Sequence, residues 1–100
     1  RRALVPVTGF YEYDKNQIPH YFEEENKNRF YLAAIYHSSN FVLLTEKPEE
    51  AVSYYHPRMP FVIHKKEKSL YLNTETQIKD RINRQRVKLV DALSPQLSLF

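Results

Sequence analysis

Cysteine is absent from this sequence of 100 residues, and glycine occurs once. The first absence excludes disulfides, a zinc ribbon and any thiol nucleophile within these residues, and says nothing about redox compartment. The second is unusual, because average usage near 7% would supply about seven glycines. Left-handed turns should therefore be rare or fall to Asn and Asp, and Gly9 becomes a position to explain. No run approaches the roughly 18 apolar residues that span a bilayer, and Arg1-Arg2-Ala3-Leu4-Val5-Pro6 lacks a signal peptide's long apolar region. A membrane partner is not expected. Also missing are a Gly-rich phosphate loop, a G-x-S-x-G elbow and paired His at metal spacing such as H-E-x-x-H. Neither a metal nor another cofactor is expected. There is no initiating Met, and the chain opens directly on a strand-like run, as part of a larger domain would. An N-terminal portion is expected upstream.

What remains is an ordinary globular balance. Hydrophobic residues make up 42% and charged residues 27% of the chain, which argues for a folded, soluble piece and against disorder. The length suits one domain at most. Residues 1–50 carry six Lys/Arg against eight Asp/Glu and residues 51–100 carry nine against four, summing to a net charge of +3. Basicity of that size supports a polyanionic partner only weakly.

Apolar patterning predicts mostly extended chain. Ala3-Leu4-Val5 and Phe10-Tyr11-Glu12-Tyr13 read as strands around a Pro6-Val7-Thr8-Gly9 break, and Asp14-Lys15-Asn16-Gln17 as a hairpin loop before Pro19 to Glu23. Phe30 to Tyr36 is a continuous apolar run, expected to be a strand buried on both faces, and His37-Ser38-Ser39-Asn40 should turn it into the strand Phe41 to Thr45. Pro48 and the surrounding acids predict a short helix from about Glu46 to Tyr55. His56-Pro57-Arg58-Met59-Pro60 should be stiff and irregular, Phe61-Val62-Ile63 a short strand, and Val87 to Val90 the last one. Thr74-Glu75-Thr76-Gln77 fits a capping box, with Ile78 and Ile82 on one face of the helix it would start. The fold class is α+β, mostly antiparallel β with a few short helices, and an incomplete domain: residues 1–93 form the domain portion and 94–100 a tail.

Two residues could carry chemistry. Glu12 is a carboxylate among Phe10, Tyr11 and Tyr13. Burial there would raise its pKa into the range of a general acid or base, whereas a place on the solvent face of a half-buried strand would make it an ordinary exposed Glu. His56 stands between a helix end and a proline-stiffened turn that would fix its ring. His20, His37 and His64 fall at strand edges or in loops, where His is usually solvated or satisfied by backbone.

Arg2-Ala3-Leu4-Val5-Pro6-Val7-Thr8-Gly9-Phe10-Tyr11-Glu12-Tyr13 resembles the G-F-Y-E-W block of the SRAP family, the SOS-response-associated peptidases that shield abasic sites in single-stranded DNA. His56-Pro57-Arg58-Met59-Pro60 resembles the same family's H-x-R-M-P block, and 43 residues separate Glu12 from His56, in keeping with the family's arrangement. The resemblance is good over residues 1–72 and looser beyond. It implies an N-terminal Cys, absent here, whose α-amine and thiol capture the aldehyde of a ring-opened abasic sugar as a thiazolidine crosslink, with associated lyase and self-processing peptidase activity. On the same basis Glu12 matches the acid/base carboxylate and His56 the catalytic histidine. Arg58 matches an arginine on the DNA backbone and Thr45 a threonine near the phosphate, while Tyr13 replaces the usual Trp and offers a smaller stacking surface. Gly9 reads as a turn that sets Glu12 at the cleft, with core packing as the alternative. A nucleoid-associated, cytoplasmic protein acting on single-stranded DNA with abasic sites is implied; a non-catalytic module that binds single-stranded DNA or a sliding clamp is the competing expectation.

The chain ends Gln96-Leu97-Ser98-Leu99-Phe100, which resembles the pentapeptide that binds the bacterial sliding clamp. Leu97, Leu99 and Phe100 offer apolar side chains and Gln96 a directional amide for such a pocket. Docking of the tail on its own domain is the alternative.

Overall fold

The longest apolar run organises the fold. In the computed structural model, which describes residues 1–73 and 86–92, it forms the fourth strand, at the main core. The elements are β1 (Arg2–Val7), β2 (Gly9–Tyr13), β3 (Pro19–Glu24), β4 (Phe30–His37), β5 (Asn40–Leu43), β6 (Thr45–Glu46), α1 (Glu50–Ser53), β7 (Met59–Pro60), β8 (Val62–Ile63), a 3-10 turn (Lys65–Glu67), α2 (Lys68–Leu72) and β9 (Leu89–Asp91). All strand pairings are antiparallel. The result is the α+β class, dominated by strands, that the sequence predicts. The proposed capping-box helix at Thr74, with Ile78 and Ile82, lies outside the described residues, as does the tail with Gln96, Leu97, Leu99 and Phe100.

β4 pairs along one edge with β1, while its other edge is shared end to end by β8 and β5. Ala33 marks the changeover: its N–H donates to Phe61 O (2.8 Å) and its carbonyl accepts from Leu44 N (2.9 Å). Phe61 N in turn donates to Leu44 O (2.8 Å), and just beyond this junction β6 pairs with β7. β2, β3 and β9 form a second, three-stranded sheet. Alternation sends Phe10 of β2 and Phe22 of β3 into the main core, where they meet Phe30, Leu32, Val52, Met59 and Leu89. The opposite face of β4 contributes Ala33 to a smaller cluster with Ile63 and Tyr71. Two-sided burial thus holds for Phe30 to Ala34 only; Ile35 and all of β5, including Phe41 and Val42, are exposed.

Several boundaries differ from expectation. β1 runs through Pro6 to Val7 and the break falls at Thr8 alone; among the described residues β1 is an edge strand, where Pro6 is tolerated. Thr45 and Glu46 join a strand instead of α1, so the helix is a single turn, although Tyr55 N and His56 N still donate to Val52 O. Met59 and Pro60 pair with Thr45 and Glu46, so the stiff proline segment is partly strand. Among the described residues no helix is long and apolar enough to cross a membrane.

The scarcity of glycine is met in an unforeseen way. Left-handed backbone falls to Gln17 (φ 64°), Lys27 (φ 62°) and Ser38 (φ 56°), and to no Asn or Asp among the described residues. Two of these loops share one construction. Asp14 Oδ1 accepts from Asn16 N (2.8 Å) and Ile18 N (3.0 Å), and Glu24 Oε1 accepts from Asn26 N and Asn28 N (both 2.9 Å). In each, the left-handed residue sits three positions after the acid and donates its N–H to the acid's carbonyl. A carboxylate at the head of the turn thus offsets the steric cost a side chain meets at positive φ.

Candidate active site

Glu12 and His56 are brought together by elements far apart in sequence that share the main core through Phe10 and Val52. Glu12 lies on β2 two residues after core Phe10, so alternation points it to the core side of the sheet and excludes the solvent-face placement. His56 is delivered by the turn of α1, which the fully buried Val52 pins to the core. Oε1 of Glu12 and Nδ1 of His56 are 3.8 Å apart, an ion-pair separation too long for a direct hydrogen bond. Burial pushes the Glu12 pKa up from the ordinary carboxylate value, and the His56 charge pulls it partly back. Nδ1 of His56 lies 2.7 Å from the carbonyl of Arg58 and 3.1 Å from its N–H. A protonated Nδ1 serves the carbonyl and a bare Nδ1 the N–H, so either state of the ring is held by the Arg58 backbone.

The second pair sits beside the first. Nε and Nη2 of Arg58 donate to Thr45 Oγ1 at 3.3 and 3.1 Å, and both residues are exposed. The β6 and β7 pairing explains the meeting, because Thr45 faces Pro60 in register. An exposed guanidinium held by a hydroxyl suits a phosphate oxygen. Tyr13 is not brought in. It is half exposed on the opposite face of β2 from Glu12, alongside Tyr11.

Gly9 is not a turn. It opens β2 without positive φ, and a Cβ there would lie 2.3 Å from Tyr21 Cζ and 2.6 Å from Phe22 O. The tyrosine ring lies across the glycine, so close approach explains the residue.

The chain matches the SOS response associated peptidase (SRAP) family over residues 1–96. It belongs to that family. The SRAP match runs past β9 and stops at the first residue of the terminal pentapeptide. Membership ties the chain to SOS-response-associated DNA processing and to the peptidase-like activity for which SRAP proteins are named. Neither a curated protein nor a solved structure gave a significant match.

Around the SRAP site the sequence reading missed a second polar group. His20 pairs directly with Glu12 across β2 and β3, and its Nε2 lies 3.0 Å from Asp14 Oδ2. Its Nδ1 lies 3.6 Å from Asp91 Oδ2 and its ring stacks on Tyr55 with centroids 3.7 Å apart. The hydrogen bond from His20 holds the Asp14 carboxyl below its usual range, helped by the Ile18 and Asn16 N–H groups. Burial, then the Asp91 charge and hydrogen bond, push the Tyr55 phenol up. Counting back from the Asp14 loop places His20 opposite Glu12, so half of this arrangement was readable; Tyr55 and Asp91 come from distant segments. His64 instead caps the 3-10 turn, accepting from Lys66 N at 3.1 Å.

Proposed function

We propose that this site processes abasic sites in single-stranded DNA. The observation that carries the reading is the Glu12 and His56 pair: a carboxyl whose pKa burial raises lies 3.8 Å from an imidazole. The nucleophile is an N-terminal Cys outside these residues, which hold none. Its amine adds to the aldehyde of the opened sugar, giving a carbinolamine. Glu12 delivers a proton to the departing hydroxyl, which leaves as water, while His56 accepts the proton released from the amine. The thiol then closes on the iminium carbon and gives up its proton, yielding the thiazolidine. Lyase chemistry and self-processing use the same pair, and Arg58 with Thr45 holds a flanking phosphate. Tyr13 offers an aromatic surface to a base further along the strand. The tail Gln96, Leu97, Leu99 and Phe100 supplies location, by binding the bacterial sliding clamp.

The test is Glu12→Gln in the cysteine-bearing protein. Crosslink formation on single-stranded DNA with an abasic site should slow by about a hundredfold, the lower end of what general acid–base catalysis contributes, with noncovalent affinity unchanged. An unchanged rate would leave only a binding module. The 100 residues alone should give no denaturation-resistant adduct.

A further inference from the structure

Glu12 and His56 belong to segments 43 residues apart, and their 3.8 Å separation must be held by something other than chain connectivity. The two backbones do not pair: β2 pairs with β3, and the turn after α1 pairs with neither. Phe22 touches both from the core, beside Phe10 and Tyr55, and one polar side chain does so at the level of the site. His20 is the cross-strand neighbour of Glu12, and on the same face its Nε2 meets Asp14, two residues beyond Glu12. Its ring lies flat on Tyr55, with an interplanar angle of 17°, and Tyr55 is bonded in sequence to His56. Asp91 of β9 closes the cluster, facing Nδ1 of His20 and hydrogen-bonded to the Tyr55 side chain.

We infer that His20 is a positioning residue that sets the distance between Glu12 and His56. The inference rests on the reading of those two as the acting groups. Imidazole is suited to the place because it is flat enough to stack and presents polar atoms on two edges, one toward each carboxylate. Phenylalanine would keep the stack and lose both edges. The side chains of His20, Asp14 and Asp91 are 17%, 19% and 10% exposed, so water competes weakly for these contacts. The chemistry is sensitive to such a device, since a displacement of about 1 Å can cost on the order of a hundredfold in rate. Among the described residues no three His, Asp or Glu converge as metal ligands, so the cluster is read as a brace.

The experiment is an NMR titration of the Glu12 carboxyl carbon, with and without His56→Ala, in wild type, His20→Phe, Asp14→Asn and Tyr71→Phe. Tyr71 lies in the other core cluster and controls for lost stability alone. In wild type the Glu12 midpoint should rise when the His56 charge is removed. His20→Phe should abolish that rise. Asp14→Asn, which keeps an oxygen for the Asn16 and Ile18 N–H groups, should weaken it, and Tyr71→Phe should leave it unchanged. In the cysteine-bearing protein His20→Phe should slow crosslinking by about tenfold without weakening DNA binding. Retained coupling in folded His20→Phe, or equal loss in Tyr71→Phe, overturns the inference; if His20→Phe does not fold, retained coupling in Asp14→Asn does so. The titration needs no DNA, so it stands apart from the rate of Glu12→Gln, which tests the proposed function.

Discussion

At the scale of single residues, Gly9 and Glu12 show opposite uses of burial. Gly9 is small because the Tyr21 ring and the Phe22 carbonyl occupy the space of a side chain. The ring can swing aside, but the paired backbone of β3 cannot. Gly9→Ala should therefore destabilise by about 1–3 kcal/mol, the usual range for overpacking, as read by denaturant unfolding; a neutral effect would show that β2 and β3 part at no cost. Glu12 is destabilising where it stands, because burial favours its protonated form. With the folded pKa raised, the stability tied to this carboxyl is fully present below the ordinary carboxylate pKa. It is lost as pH rises through the folded value. Glu12→Gln, slow in chemistry, should accordingly melt higher than wild type at neutral pH and at the same temperature near about pH 4. Melting curves at the two pH values check this, and a lower neutral Tm in the variant would contradict it.

At the scale of elements, α2 shows how a five-residue helix is held without a side-chain N-cap. The sequence reading passed over Lys68 to Leu72 because one turn with a polar surround leaves no helical periodicity. Tertiary contacts define it instead. Tyr71 is fully buried and its hydroxyl donates to Ala34 O at 2.7 Å, while Arg2 Nη1 donates to the Tyr71 and Asn73 carbonyls, each at 2.9 Å. One buried hydroxyl thus fastens the helix to β4. Tyr71→Phe should cost about 1–3 kcal/mol, the penalty for leaving a buried acceptor short of a partner, with no change at the Glu12 and His56 site. Hydrogen exchange at α2 and β4 would locate the loss.

At the scale of the whole molecule, the proposed tether and the proposed chemistry fall in different parts of the chain. The terminal pentapeptide should bind the purified bacterial clamp with only micromolar affinity, because ordering a short segment offsets much of what its apolar side chains contribute. Titration with wild type and with Leu99→Ala/Phe100→Ala checks this. Binding lost in the double variant at unchanged stability supports the tether; equal binding, or a stability loss of several kcal/mol, shows that the tail belongs to the domain.

Strand positions, the Asp14 hairpin and the two SRAP blocks were legible from the sequence, because local alternation and short fixed spacings determine them. The α+β class followed from the same patterns. Tertiary structure alone decided the rest, since each remaining feature joins segments far apart in the chain. Alternation told that Glu12 opposes Tyr11 and Tyr13, but only the packing of Phe10 and Phe22 decided which face is the core. His20 looked like an ordinary strand-edge histidine until β9 brought Asp91 and α1 brought Tyr55 against it. Gly9 looked like a turn because the ring that occupies its space comes from the partner strand. Local sequence carries backbone preference, whereas burial and side-chain partners are set by which distant segment fills the space, and that is decided only when the chain closes on itself.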